Sequence, residues 1–293
     1  MKKYITIIAS LAALVSCQKE GPADVPGDNQ IVFEFGLPST KATAENFEAG
    51  DNVSVWAVEY TAEQAPELQI GGNFLNNEKL SFDGALWTAK RPLYWSEKPC
   101  DFYAVYPYIQ PTSVESYLFE IAADQNAPAT ETSLGGFEAS DLLVAKAEAV
   151  SREDGKVSLK FRHIMSKCVV NVVKGEKFEG ELPEDIAVHI YNTVTTADLN
   201  LANGSVEKYA LGNRNTITMK KLATDKFEAV VIPQNIERRT PLIEISMGGI
   251  AYLLEYSLSF KPGYAHTINL TVNTSPDQEK FEISIDASTG DMN

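Results

Sequence analysis

Apolar and polar residues alternate with a period of two along much of this 293-residue chain, the spacing that sends successive side chains to opposite faces of a β-strand. Ile31, Phe33, Phe35 and Leu37 alternate with Val32, Glu34 and Gly36 and predict a half-buried strand where ordered structure begins. Val53, Val55 and Ala57 alternate with Ser54, Trp56 and Val58, and Phe102–Tyr106 is an aromatic, β-favouring run closed by Pro107. Val157, Leu159, Phe161 and His163 share one parity, whereas Cys168, Val170 and Val172 take the other. A strand cannot change parity without a bulge or a break, so one is expected across 164–167. Further on, Ile243, Ile245 and Met247, then Gly248-Gly249, then Tyr252, Leu254, Tyr256, Leu258 and Phe260 read as a hairpin. Tyr264, His266, Ile268, Leu270 and Val272 follow the turn Lys261-Pro262-Gly263, and Phe281, Ile283 and Ile285 make a last strand.

Helical signals are few. Residues 139–150 have helix-friendly composition, yet Leu142-Leu143-Val144 fits a short buried strand equally well. Many short strands punctuated by turn residues predict an all-β sandwich architecture. The chain is longer than a single core usually serves, so two domains are expected, meeting near the charged, Gly-containing stretch Ser151–Lys156.

The N-terminus has its own layout. Lys2 and Lys3 precede an apolar run from Tyr4 to Leu14, which is too short to span a bilayer and reads as a secretory signal. It ends in Leu14-Val15-Ser16-Cys17, the layout of a bacterial lipobox, in which the cysteine takes lipid after cleavage. The expected organisation is a signal peptide over 1–16, a polar, Pro- and Gly-containing tether over 17–30, and β-domains over 31–152 and 153–293.

Charge narrows the choice of partners. The chain has 25 basic and 40 acidic residues, a formal charge of −15, and losing residues 1–16 would leave about −17 because Lys2 and Lys3 go with them. Such a surface repels nucleic acid and anionic membrane alike. With Cys17 committed to lipid, only Cys100 and Cys168 remain, and their strand contexts favour buried free thiols over a bridge.

No catalytic constellation stands out. His163, His189 and His266 all lie in strand-like segments, none beside a metal-spaced cluster, and no nucleotide-binding or hydrolase motif is present. The acidic pairs Glu153-Asp154 and Glu184-Asp185 fall in turn-like stretches and read as solvated loop charges. No enzyme activity, cofactor or metal is expected. Trp56, Trp87, Tyr94, Trp95, Tyr103, Tyr106 and Tyr108 crowd the first half; at strand spacing they read as core, with a sugar-binding platform as the competing reading. Lys41, in Ser39-Thr40-Lys41-Ala42-Thr43, suits a trypsin-like protease, although the residues alone leave an ordinary loop lysine as the plainer reading.

In order and spacing, a series of segments resembles the fimbrillin-like pilus proteins of Bacteroides-type bacteria: LVSC at 14–17, IVFEFGL at 31–37 leading into TKA, GDNVSVWA at 50–57, PLYW at 92–95, DFYAVYPY at 101–108, DLLVAKA at 141–147, VSLKFRHIMSKCVVNV at 157–172, VVIPQ at 230–234 and FKPGYAHTINLTV at 260–272. The resemblance implies two tandem transthyretin-like β-sandwich domains. It also implies a precursor held at the outer membrane by lipid on Cys17, and a trypsin-like protease that cuts after Lys41 to make Ala42 the mature start. Removal of the strand carrying Ile31, Phe33, Phe35 and Leu37 would then open a groove for a strand from another fimbrial subunit. Phe281, Ile283 and Ile285 are the candidate donor, with completion of their own domain as the equal alternative. The expected function is therefore a structural, adhesive subunit of a surface fimbrium; the alternative is a monomeric surface lipoprotein that binds glycan through the aromatic cluster.

Overall fold

The computed structural model describes residues 29–38, 47–274 and 283–293. Cys17, Lys41, Ala42 and Phe281 lie outside the described residues. Along the first half the strands are β1 (Phe33–Gly36), β2 (Asn52–Glu59), β3 (Leu75–Phe82), β4 (Trp87–Ala89), β5 (Cys100–Tyr106) and β6 (Tyr117–Glu120). A five-residue helix, α1 (Gly136–Ser140), then leads to β7 (Leu143–Val150), β8 (Val157–Lys160) and β9 (Arg162–His163). The chain is all-β: apart from α1 and one 3₁₀ turn, the described elements are strands.

An antiparallel sheet of order β4-β3-β2-β5-β7-β9 forms the centre of this half. β2 and β5 are buried on both faces, which is why both parities of their sequences are apolar. Val53, Val55, Ala57, Phe102 and Ala104 face a first core. Trp56, Val58, Tyr103 and Val105 face a second, larger core shared with the rest of the chain. Ser54 is the polar exception in β2, and its hydroxyl donates to Ile109 O at 3.1 Å and accepts from Ile109 N at 2.9 Å. A buried hydroxyl is tolerated when it is satisfied in this way.

A two-stranded parallel pair, β1 with β8, packs into the first core, in register from Phe33 opposite Val157 to Gly36 opposite Lys160. The parity change along 157–172 has a structural cause. Val157, Leu159 and Phe161 belong to the first core, whereas Ile164, Met165, Cys168, Val170 and Val172 belong to the second. The chain changes core at Ile164–Met165, both buried outside any strand. The charged stretch Ser151–Lys156 separates β7 from β8 as a 3₁₀ turn, with the Asp154 carboxylate accepting from Ser151 N–H at 2.7 Å and Gly155 at φ 76°. Residues 139–150 resolve as the end of α1 followed by β7.

The second half contributes β10 (Ser166–Lys177), β11 (Ala187–Val194), β12 (Thr196–Asn200), β13 (Ser205–Lys208), β14 (Arg214–Thr218), β15 (Lys220–Ala223) and β16 (Lys226–Val231). They are followed by β17 (Gln234–Ile236), β18 (Pro241–Met247), β19 (Ile250–Glu255), β20 (Leu258–Phe260), β21 (Tyr264–Thr274) and β22 (Ile283–Asp291). Sheets β15-β16-β10-β21-β22 and β14-β11-β18-β19 bury Val170, Val172, Ile268 and Leu270 in one core with Val188, Ile190, Ile243 and Ile245. The β18–β19 hairpin turns at Gly248 (φ 56°) and Gly249 (φ 77°), the doubly positive geometry of a two-residue hairpin turn.

Two features depart from simple alternation. The even-numbered run 252–260 is not one strand: β19 ends at Glu255, and β20 pairs instead with β17. Alternation specifies which face of a strand is buried, not which neighbour it takes. In addition, β6 pairs with β12 across the halves, with Glu120 opposite Thr196 and Tyr117 opposite Leu199. Cys100 and Cys168 are free and buried, one in each core, and burial pushes each thiol up to about 12.

Candidate functional site

The segment that carries β1 is held in succession, by residues 29–31 along one edge and by residues 32–36 along the other. On one side, Ile31 N–H donates to Leu93 O at 2.8 Å and Trp95 N–H donates to Asn29 O at 3.0 Å. On the other, Val157 N–H donates to Val32 O and Phe161 N–H to Gly36 O, each at 2.8 Å. The segment thus passes from an isolated bridge at Gln30–Tyr94 into the β1–β8 pair, where β8 is the one strand partner of Phe33–Gly36. Its alternate side chains point inward: Ile31 and Phe33 are 5% and 6% exposed, and Phe35 and Leu37 are half-buried against the same core. Phe33 meets Phe102 edge-on at 6.1 Å, while Phe35 meets Trp87 at 4.9 Å and Phe161 at 5.6 Å.

On the outer face, Glu34 pairs with Lys156 at 2.7 Å and accepts from Ser158 Oγ at 2.9 Å. The Lys156 and Ser158 hydrogen bonds lower the Glu34 pKa, but the pair lies in solvent and adds little to retention of the strand. Apolar burial dominates. At about 1.5–3 kcal/mol for a fully buried large side chain, two buried and two half-buried residues account for roughly 5–9 kcal/mol. That is comparable with the whole stability of an ordinary domain.

Phe47 was not singled out by the sequence, where it stands alone in a polar stretch. It sits just beyond residues 39–46 and meets Trp87 at 4.9 Å, Tyr106 at 5.4 Å and Phe161 at 6.0 Å. Phe35 and Phe47 therefore share two rings, Trp87 and Phe161, from either side of the segment that contains Lys41.

The candidate donor residues are placed at the far end of the chain. Ile283 lies opposite Val272 and Ile285 opposite Leu270 in the antiparallel β21–β22 ladder. Both are half-buried on the second core, and β22 is the edge strand of its sheet. β22 thus has a strand partner on one side only, as β1 does in its pair with β8.

The histidines do not converge. His266 is buried: its Nε2 accepts from Lys261 N–H at 3.1 Å, Nδ1 lies 3.1 Å from Thr289 Oγ1, and the ring meets Phe260 edge-on. Burial, then the Lys261 charge, lowers its pKa. His163 Nδ1 lies 3.0 Å from Asp141, and His189 Nδ1 lies 3.5 Å from Glu244. Among the described residues no group of three or more His, Cys, Asp or Glu is placed to hold a metal ion.

The aromatic cluster is mostly core. Trp56 and Tyr103 are buried, Trp87 and Trp95 are half-buried among other rings, and the Tyr106 hydroxyl donates to Asp51 at 2.9 Å. Tyr94, 54% exposed, is the most open of the set. An open cleft of about 620 Å³ lies where the halves meet, lined by Leu68, Tyr103, Glu115, Lys146 and Asn203 among others. Lys146 there is already occupied by Glu148 at 2.7 Å, by Asp101 at 3.7 Å and by the Tyr103 ring. Among the described residues no helix is long and apolar enough to cross a membrane.

A model of the family described as fimbrillin-like matches residues 40–287. A candidate cell adhesion protein from Bacteroides uniformis superposes with a TM-score of 0.67 at 19% identity, covering 90% of this chain and 99% of its own. One from Bacteroides ovatus gives 0.65 at 16% identity, covering 89% and 97%. A fimbrial protein from Bacteroides vulgatus gives 0.54 at 14%, covering 90% and 100%. At these identities the superpositions speak to the fold. Comparison with curated protein sequences gave no match.

Proposed function

This chain belongs to the fimbrillin-like family, and on that premise we propose that it is a structural subunit of a cell-surface fimbrium assembled by cleavage and strand exchange. Exported as a lipoprotein, the precursor is anchored in the outer membrane through Cys17. A trypsin-like protease then cuts after Lys41 and leaves Ala42 at the new N-terminus. β1 departs, and a donor strand from a neighbouring subunit takes the slot, with Phe281, Ile283 and Ile285 the candidate donor residues. The subunit contributes shape and adhesion, not catalysis.

One observation carries this reading: the segment 29–37 is laid into the first core by alternating apolar side chains, tied by Asn29 and Ile31 to residues 93–95 and by β1 to β8. While the chain is intact, Ile31–Leu37 is covalently tied to its slot and no external strand can compete. Cleavage turns that tie into an ordinary binding equilibrium. An incoming strand then offers the same ladder to β8 and the same alternate pockets.

Lys41→Ala tests the step. With trypsin-like protease present, the variant is expected to stay a folded monomer while the parent forms fibres. Fibres formed as readily by the variant would remove Lys41 as the switch. Anchoring is tested separately, since Cys17→Ala should abolish acyl labelling and leave unprocessed precursor.

A further inference from the structure

Most sheet edges in this protein carry a guard. An unpaired edge presents free N–H and C=O groups to any passing strand, and folded proteins blunt such edges with charge, bulges or short length. β4 has three residues and β9 two. β15 carries Lys220 and Lys221, β13 carries Glu207 and Lys208, and β22 carries Asp286 and Asp291. β14 opens on Arg214 and is irregular against β11. β19 is different. Over Ile250-Ala251-Tyr252-Leu253-Leu254 it has no charge, proline or glycine, and its first charged residue is Glu255. It pairs with β18 along one side, and among the described residues no strand pairs with the other. Leu253 is 51% exposed and Ile250 42%. An apolar, uncharged window of this length on an open edge is the pattern that drives strand-to-strand association.

We propose that β19 joins two copies of this chain side by side, strand against strand, in antiparallel register about a two-fold axis at Leu253. Residues directly opposite in an antiparallel pair point to the same face, so the register must preserve parity. Centring on Leu253 does so. It sets Leu253 against Leu253 of the second copy, Tyr252 against Leu254, and Ala251 against Glu255. No two acids are opposed, and the two Glu255 carboxylates lie at opposite ends of the contact. For a chain of formal charge −15, that selects this edge over the acid-bearing surfaces, which would repel their own copies. The four-stranded sheet would continue across the axis as an eight-stranded one, an isologous contact of the commonest symmetry. The association uses neither β1 nor cleavage after Lys41, so it is independent of strand exchange.

Leu253→Cys in the full chain, in detergent solution under mild oxidation, tests the register. The two thiols would face each other at disulfide distance, so a species of twice the mass is expected. The parent, with Cys100 and Cys168 buried, serves as control. Leu253→Lys would oppose two ammonium groups and is expected to weaken self-association by more than about tenfold in sedimentation equilibrium. Leu211→Lys, at an exposed site elsewhere, should leave it unchanged. The proposal is overturned if the parent sediments as a monomer at every concentration, if Leu253→Cys forms no self-crosslink, or if that cysteine on cells captures a different protein instead of a second copy.

Discussion

Phe33 and Glu34 are adjacent in β1 and play opposite parts in holding it. Phe33 is buried against Phe102, so Phe33→Ala in the uncleaved chain is expected to cost about 3–5 kcal/mol, read as a lower urea midpoint. Glu34 pairs with Lys156 in solvent, and Glu34→Ala should leave the urea midpoint nearly unchanged, with any difference shrinking further in salt. His266 adds a pH dependence. Its pKa is lowered from 6.5 by burial and by Lys261, so the folded state favours the neutral ring. The unfolded chain takes up the proton first as pH falls. The stability His266 contributes is therefore whole above about 6.5 and is lost below it, through the depressed folded value. Because Nδ1 lies against Thr289 of β22, the protection of the β22 amides, taken relative to the intrinsic exchange rate at each pH, should fall between pH 7 and 5. An unchanged protection factor would contradict this. Such roles are only partly legible in sequence: parity placed Phe33 and His266 inward, but nothing in the polar stretch around Phe47 marked its ring as a neighbour of Trp87.

Elements were legible where burial is one-sided. Ile31–Leu37, the 164–167 break and the Gly248-Gly249 hairpin follow from period-two spacing and turn chemistry, because each exposes one face and hides the other. Partners were not legible. The parallel pairing of β1 with β8 joins residues 124 apart, Phe33 and Val157, and no local pattern encodes that distance. The split of 252–260 into β19 and β20 has the same cause: Phe260 keeps its parity but pairs with Gln234. β22 offers a test at this scale. Ile285→Asp would bring a charge to the half-buried face opposite Leu270, and the β21–β22 ladder should loosen by roughly 1–3 kcal/mol, measurable as lost exchange protection. If Ile285 also enters a neighbour's slot, the same variant should slow fibre growth after cleavage.

At the scale of the whole molecule, the halves are interlocked beyond the single covalent passage through Ile164–Met165. β6 pairs with β12, Thr218 N–H donates to Ala123 O at 2.8 Å, and Gln125 N–H donates to Thr218 O at 3.0 Å. The buried Gln125 side chain accepts from Val230 N–H at 2.7 Å and donates to Val230 O at 2.8 Å. Gln125→Ala would strand both backbone groups, at about 1–3 kcal/mol each, and should lower the denaturation midpoint of the whole chain in one transition, not of one half alone. A fimbrium anchored at a cell and caught on a surface is pulled along its length. A subunit with a lone flexible connection would swivel and extend at that point before its neighbours felt the load. Here the segment from Val114 to Gln125 is laced along the opposite half, so tension entering one sandwich reaches the other through several bonds in parallel. The subunit would behave as a stiff link, and compliance in the fibre would fall at the joints between subunits.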